Sequence, residues 1–177
     1  MLAHADAVYT GDSEHLWTEV LADLEAGRLK RRYDARLGFG EKKVMPRRAI
    51  FRGKKYLPVS LVQFTRGCPF DCTFCAVAGF YRKQCFTRRI DHVLEELESL
   101  PHRMVLFVDD NLMGDPRLAK ELFREMAPLK KQWVSQATIE IARDRELLDL
   151  MKQSGGKGVL VGLESIKSST LRAMRKA

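Results

Sequence analysis

Met104-Val105-Leu106-Phe107-Val108-Asp109-Asp110-Asn111 is the stretch that decides the fold. Five apolar residues in succession, closed by short polar ones, form the pattern of a strand covered on both faces, and such strands belong to parallel sheets. Reading downstream, Asp115 predicts a helix cap with Pro116 at the first helical position. Leu118, Leu122, Phe123 and Met126 then follow at helical spacing. Trp133 to Thr138 reads as the next strand. Leu147, Leu148 and Met151 mark a helix closed by Gly155-Gly156, and Gly158 to Leu163 reads as a further strand. Ser168-Ser169 opens a last helix carrying Leu171 and Met174. Upstream, Ile90, Val93, Leu94, Leu97 and Leu100 share one helical face, and Val59 to Thr65 reads as the first strand of the series.

Strand starts at 104, 133 and 158 lie 29 and 25 residues apart, one βα unit per step. Strands alternating with helices predict an α/β fold with a parallel sheet. A closed eightfold barrel takes about 200 residues or more, whereas 119 remain from Val59 to Ala177. The expectation is a partial (β/α) TIM-like barrel of parallel strands, truncated after about four βα units.

Three segments follow from this reading. Residues 1–27 hold a short strand at Ala7 to Thr10, a Gly11-Asp12-Ser13 turn leading to a helix cap, and a helix. The helix carries Leu16, Trp17, Val20, Leu21 and Leu24 on one stripe, with Gly27 as its stop. One strand and one helix cannot cover such a stripe alone. Residues 28–58 read as a basic connector broken by Gly38, Gly40, Pro46, Gly53 and Pro58. Residues 59–177 form the partial barrel.

The net charge of +8 is concentrated in the connector. Twelve Lys or Arg between Arg28 and Lys55 face only Asp34 and Glu41, so that stretch carries +10 and the remainder −2. Such a connector can attract nucleic acid, an anionic substrate or anionic lipid. With no aromatic-basic binding motif beside it, a solvated linker is the favoured reading. At 45% hydrophobic the chain can bury a core. No apolar run approaches 18 residues, and the N-terminus lacks the plan of a secretion signal. Neither a membrane span nor secretion is expected, and the expected location is the cytoplasm.

Three of four cysteines, Cys68, Cys72 and Cys75, fall in the segment Arg66-Gly67-Cys68-Pro69-Phe70-Asp71-Cys72-Thr73-Phe74-Cys75. That crowding suits a metal site in a reducing compartment, not a framework of disulfides. Thiolates at C-x3-C-x2-C spacing can ligate three irons of a cubane and leave the fourth open, where electron-transfer clusters use four cysteines. A zinc site with Cys85 or His92, or a closed cluster with Cys85 as fourth ligand, competes with this reading. Unligated buried thiols compete least well, because three in one short loop are hard to keep inert.

The motif Cys68-x3-Cys72-x-Phe74-Cys75, set before a βα series, resembles the radical S-adenosylmethionine superfamily. The resemblance implies that Cys68, Cys72 and Cys75 hold a 4Fe–4S cluster and that Phe74 lies near the adenine of S-adenosylmethionine. It further implies reductive cleavage of that cofactor to a 5′-deoxyadenosyl radical, a flavodoxin- or ferredoxin-type electron donor and a small-molecule substrate. Asp109, Asp110 and Asn111 at one strand end, and Glu164 and Ser165 at another, are implied cofactor contacts. The acid pair stands where many members carry Gly-Gly-Glu, and Ile139 stands where many carry Arg. Ser135 or Gln136 is expected to point into the barrel mouth. The piece Ala5-Asp6-Ala7-Val8-Tyr9-Thr10-Gly11-Asp12-Ser13-Glu14 resembles the end of a cobalamin-binding domain, so cobalamin is implied only with an upstream domain. Two alternatives remain at this point: a tRNA-modifying methylthiotransferase relative that uses the basic connector, and a non-enzymatic zinc or iron–sulfur module.

Overall fold

The computed structural model describes residues 3–176, and the chain divides into two compact units with the break between Val44 and Met45. The first unit is a β-α-β element: β1 (Val8–Thr10), α1 (Trp17–Glu25) and β2 (Arg32–Asp34), with the two strands parallel. A buried polar knot surrounds Asp23, which accepts from Arg28 Nε and from the Tyr33 hydroxyl, both at 3.0 Å. The bond from Arg28 holds the Asp23 carboxyl below the usual carboxylate range. Strand and helix fall where the sequence predicts them, and Gly27 ends the helix at a positive φ of 66°. The cap to which the Gly11-Asp12-Ser13 turn leads is Leu16, which makes no side-chain bond. β2 lies inside the stretch read as an irregular connector. With one apolar residue between Arg32 and Asp34, it shows no periodicity to detect. On α1 only Val20 of the apolar stripe is buried, while Trp17, Leu21 and Leu24 stay exposed.

The second unit runs, in chain order, β3 (Val59–Val62), β4 (Thr65–Gly67), α2 (Ala76–Phe80), β5 (Cys85–Thr87), α3 (Ile90–Ser99), β6 (Met104–Phe107), α4 (Pro116–Met126), β7 (Gln132–Ala137), α5 (Arg145–Gln153), β8 (Gly156–Val161) and α6 (Ser168–Ala173). β3, β6, β7 and β8 form one sheet in that order, with every pairing parallel. This is the α/β sheet the spacing predicts. It is an open sheet among the described residues.

The two faces of this sheet differ. Val62, Val105, Phe107, Trp133 and Ala137 are buried on one face with Val93 and Leu97 of α3, Leu122 and Phe123 of α4, and Leu147 of α5. Phe123 stacks on Trp133 at 4.8 Å between ring centroids, Phe107 meets its edge at 5.9 Å, and the indole N–H donates to Ser154. Side chains of this size each stabilise by about 1.5–3 kcal/mol when fully buried, so this side holds the unit together. The alternate residues are open: Leu61 is 53% exposed and Leu160 72%.

Asp115 caps α4 as predicted, its side chain accepting from the N–H groups of Arg117 and Leu118 with Pro116 at the first position. Three details differ from the sequence reading. The first strand stops at Val62, because the Asp109 carboxylate captures the N–H groups of Phe64 and Thr65 and turns the chain into β4. β4 then pairs antiparallel with β5, a hairpin whose three-residue strands are too short to show alternation. At α6, Lys167 is the cap residue and Ser168-Ser169 make no side-chain cap, while Ser165 Oγ accepts from the Lys167 N–H at 3.1 Å.

Candidate functional site

Parallel strands place all their C-terminal ends on one edge, and loops at that edge carry the chemistry in open and closed α/β sheets. The cysteine loop lies between β4 and α2, so it follows the hairpin strand rather than the first sheet strand directly. Its root is fixed by Gly67, which has φ +84° and whose N–H donates to Asp110 Oδ2 at 2.7 Å. A Cβ at this position would fall 2.3 Å from the Gln84 carbonyl oxygen. Only glycine fits a site that demands both a left-handed backbone and contact with another backbone.

Asp109, Asp110 and Asn111, at the end of β6, surround this root. Asp109 is fully buried and accepts from the Phe64 and Thr65 N–H groups, while its own carbonyl accepts from Gln136 Nε2 at 2.6 Å. Burial pushes its carboxyl up to about 7 despite those bonds. Asn111 is buried as well. Its backbone carbonyl accepts from Thr65 Oγ1 and from the Gly114 N–H, both at 3.0 Å, and its Nδ2 lies 3.8 Å from Cys68 Sγ. The residues at the second strand end therefore meet the cysteine loop. Ser135 does not face the mouth; it is buried on the helix side and donates to the Phe107 carbonyl. Gln136, the next residue, takes the open face.

The loop is held from its other side by side chains the sequence reading missed. Asp71 accepts from Lys83 Nζ at 2.8 Å and Arg175 Nη1 at 2.7 Å, and these bonds hold its carboxyl below the usual range. The Thr73 N–H donates to the Met174 carbonyl, and Lys176 Nζ lies 5.7 Å from the Phe74 ring centroid. Lys176 also pairs with Glu164 at 2.8 Å. Phe74 and Glu164, far apart in sequence, thus meet at one lysine. Nothing in the local pattern marks Arg175 or Lys176, since they act through a turn after α6. Glu164 adopts φ +56°, a left-handed backbone uncommon outside glycine and often found at functional sites.

Cys68, Cys72 and Cys75 are free thiols, all half-buried. Burial raises the Cys72 thiol above its usual range. Cys85 sits across the hairpin from Gly67 and is pushed up to about 11, first by burial and then by the Cys68 and Asp109 charges. Among the described residues no three His, Cys, Asp or Glu side chains converge as the ligands of one metal ion. The three thiolates of a cubane bind three separate irons and need not converge on a point. Soft, uncrosslinked sulfur donors in one loop, with a buried amide aimed at Cys68, suit an iron–sulfur group.

Comparison with known proteins agrees with this geometry. The sequence profile of the radical SAM superfamily matches residues 62–177. Bacteriochlorophyllide d C-8(2)-methyltransferase of Chlorobaculum tepidum is 30% identical over 98% of this chain and 43% of its own length. The C-12(1)-methyltransferase of the same organism is 29% identical over 98% of this chain and 40% of its own. Hopanoid C-2 methylase of Rhodopseudomonas palustris is 30% identical over 69% of this chain and 25% of its own. The chain therefore spans less than half the length of these relatives. Among solved structures, the radical S-adenosylmethionine methyltransferase TsrM of Kitasatospora setae, solved with cobalamin and a [4Fe-4S] cluster bound, superposes with TM-score 0.59. It is 21% identical over 64% of this chain and 24% of its own, a likeness of fold. With its cysteine loop, its parallel sheet and a family match across most of its length, the chain belongs to the radical SAM superfamily.

Proposed function

We propose that this chain is the cluster- and cofactor-binding part of a radical S-adenosylmethionine methyltransferase acting on a small molecule. The observation that carries the reading is the C-x3-C-x2-C loop of free, half-buried thiols at the C-terminal edge of a parallel sheet. The names of the relatives, methyltransferases and a methylase, favour methyl transfer over cyclisation or rearrangement. Cys68, Cys72 and Cys75 hold the cluster. When bound there, a 4Fe–4S cluster would supply the single electron for reductive cleavage of S-adenosylmethionine.

The protein's own work is to bind, orient and exclude water. Asp110 and the buried Asn111 border the cysteine loop from β6, Glu164 beyond β8 shares Lys176 with Phe74 of the loop, and Ser165 follows Glu164. Asp110, Glu164, Ser165 and the open face of Phe74 are the proposed contacts to S-adenosylmethionine. The open sheet face, with Leu61, Val108 and Leu160, is the proposed wall of a chamber, the four strands being part of a TIM-like barrel. Cobalamin, where used, is supplied by a domain to which the β1–α1–β2 unit is the tail. The electron donor proposed is a flavodoxin or ferredoxin.

The basic segment is partly built into the two units, with β2 in the first. Arg28, Lys30 and Arg48 are paired with Asp23, Glu19 and the buried Glu96, so part of its +10 charge is already neutralised, which weighs against the RNA-binding alternative. Among the described residues no helix is long and apolar enough to cross a membrane.

Anaerobic reconstitution with iron and sulfide, followed by EPR of the reduced protein, tests the reading. The expected result is a cluster signal that changes when S-adenosylmethionine is added. Cys72→Ala should lose that signal, and the proposal fails if the variant keeps full iron content and a cofactor response.

A further inference from the structure

Asn111 is the one asparagine in the sequence. It is 1% exposed, and two bonds to its carbonyl, from Thr65 Oγ1 and the Gly114 N–H, fix the backbone that carries it. The carboxamide therefore has little freedom. Its Nδ2 is directed at Cys68 Sγ, 3.8 Å away, within reach of the large sulfur acceptor, while its Oδ1 is buried without a hydrogen-bond partner. Reversing the amide would set the oxygen, an acceptor, against the sulfur of a ligating thiolate, also an acceptor. The donor end must face Cys68 whenever that thiol is ionised.

We propose that Asn111 is a positioning residue that donates an N–H to the Cys68 sulfur and so sets the reduction potential of the cluster held there. An N–H dipole at a ligand sulfur offsets negative charge, and the reduced cluster carries more of it than the oxidised one. Bonds to the sulfurs are among the levers that set the potentials of such clusters. The proposal rests on the radical S-adenosylmethionine reading, but it concerns the cluster before any cofactor binds. It also separates Asn111 from Asp109 and Asp110, which hold the backbone of the loop and not a sulfur.

Because there is a single asparagine, feeding side-chain-amide 15N-asparagine labels this one group. In the reconstituted, reduced wild-type chain without S-adenosylmethionine, pulse EPR should show one weakly coupled 15N. Its absence in a protein with a full cluster overturns the proposal whatever the variants do. Asn111→Ala and Asn111→Leu each remove the donor and the acceptor without adding a charge. In redox titrations each should lower the reduced-to-oxidised ratio at a given potential about tenfold, equivalent to ~59 mV for one electron. An unchanged midpoint in a variant with wild-type iron content overturns the proposal. If the wild-type chain forms no cluster, the broader reading fails and this inference with it. A cluster that answers to the cofactor but shows no coupled 15N removes only the role given to Asn111.

Discussion

The ends of β6 and β8 carry acidic residues at equivalent places in two βα units, yet they are built in opposite ways. At β6, Asp109 and Asn111 are buried and their polar groups meet the backbone or sulfur of the cysteine loop. At β8, Leu163 is exposed, Ile166 is 98% exposed, and Glu164 stands on a left-handed backbone held by one lysine. The same residue type is architecture in one place and an available surface in the other. What decides is whether another chain segment needs N–H acceptors there. The hairpin before the cysteines leaves its N–H groups pointing at β6, whereas no described segment does so at β8.

The strongest way to break this contrast is to attack the root of the cysteine loop. Gly67→Ala puts a Cβ 2.3 Å from the Gln84 carbonyl and 2.9 Å from the Tyr81 Cβ, at φ +84°. A destabilisation of about 3 kcal/mol is expected, read as a lower thermal midpoint and a fall in iron retained after reconstitution. Gly158→Ala on β8 meets nothing within 4 Å and should stay within about 0.5 kcal/mol of wild type. Equal effects from the two substitutions would mean that the loop root is no more constrained than the open strand.

The same contrast explains what was legible in the sequence. The four sheet strands, α3, α4, α5 and the Asp115 cap were readable because apolar period and cap chemistry are local signals. The cysteine triplet was readable because spacing alone carries its chemistry. The break after Val62 was not, since Phe64 and Thr65 continue the strand pattern and the cause, Asp109, lies 45 residues away from Phe64. The ties from Lys83, Arg175 and Lys176 to the loop were hidden for a like reason: isolated basic residues acquire partners only through tertiary structure. Gly67 could have been found, as a glycine directly before a ligand loop hints at a backbone that no other residue adopts.

A smaller effect sharpens the role of Asp109. Its carboxyl binds a proton more tightly folded than unfolded, with the folded value at about 7 against an ordinary 3.8. Stability from this group is therefore full below the unfolded value and is lost as pH rises toward 7. The expected result is a stability that declines steadily as pH rises through that window, the N–H bonds from Phe64 and Thr65 being already part of the folded value. Asp109→Asn should flatten that part of a denaturant-derived stability profile while lowering its level. A profile as steep as wild type would show that another group titrates, and Asp109 would then be ionised in its bonds to Phe64 and Thr65.

The smallest stability change is expected at the other strand end, and it is the most informative about function. Glu164→Gly relieves a left-handed backbone, worth about 1 kcal/mol, and removes an ion pair between a part-exposed carboxylate and Lys176, worth about 0–1 kcal/mol. The two nearly cancel, so the thermal midpoint should scarcely move. If Glu164 contacts S-adenosylmethionine, affinity for the cofactor, measured on the reconstituted protein, should nonetheless fall about fivefold or more, as loss of one charge-assisted hydrogen bond implies. Glu164→Gln keeps the backbone strain and should lose affinity to a lesser degree. Unchanged affinity in both variants would make the end of β8 a plain turn, and the cofactor contacts would then lie with Asp110 and the cysteine loop.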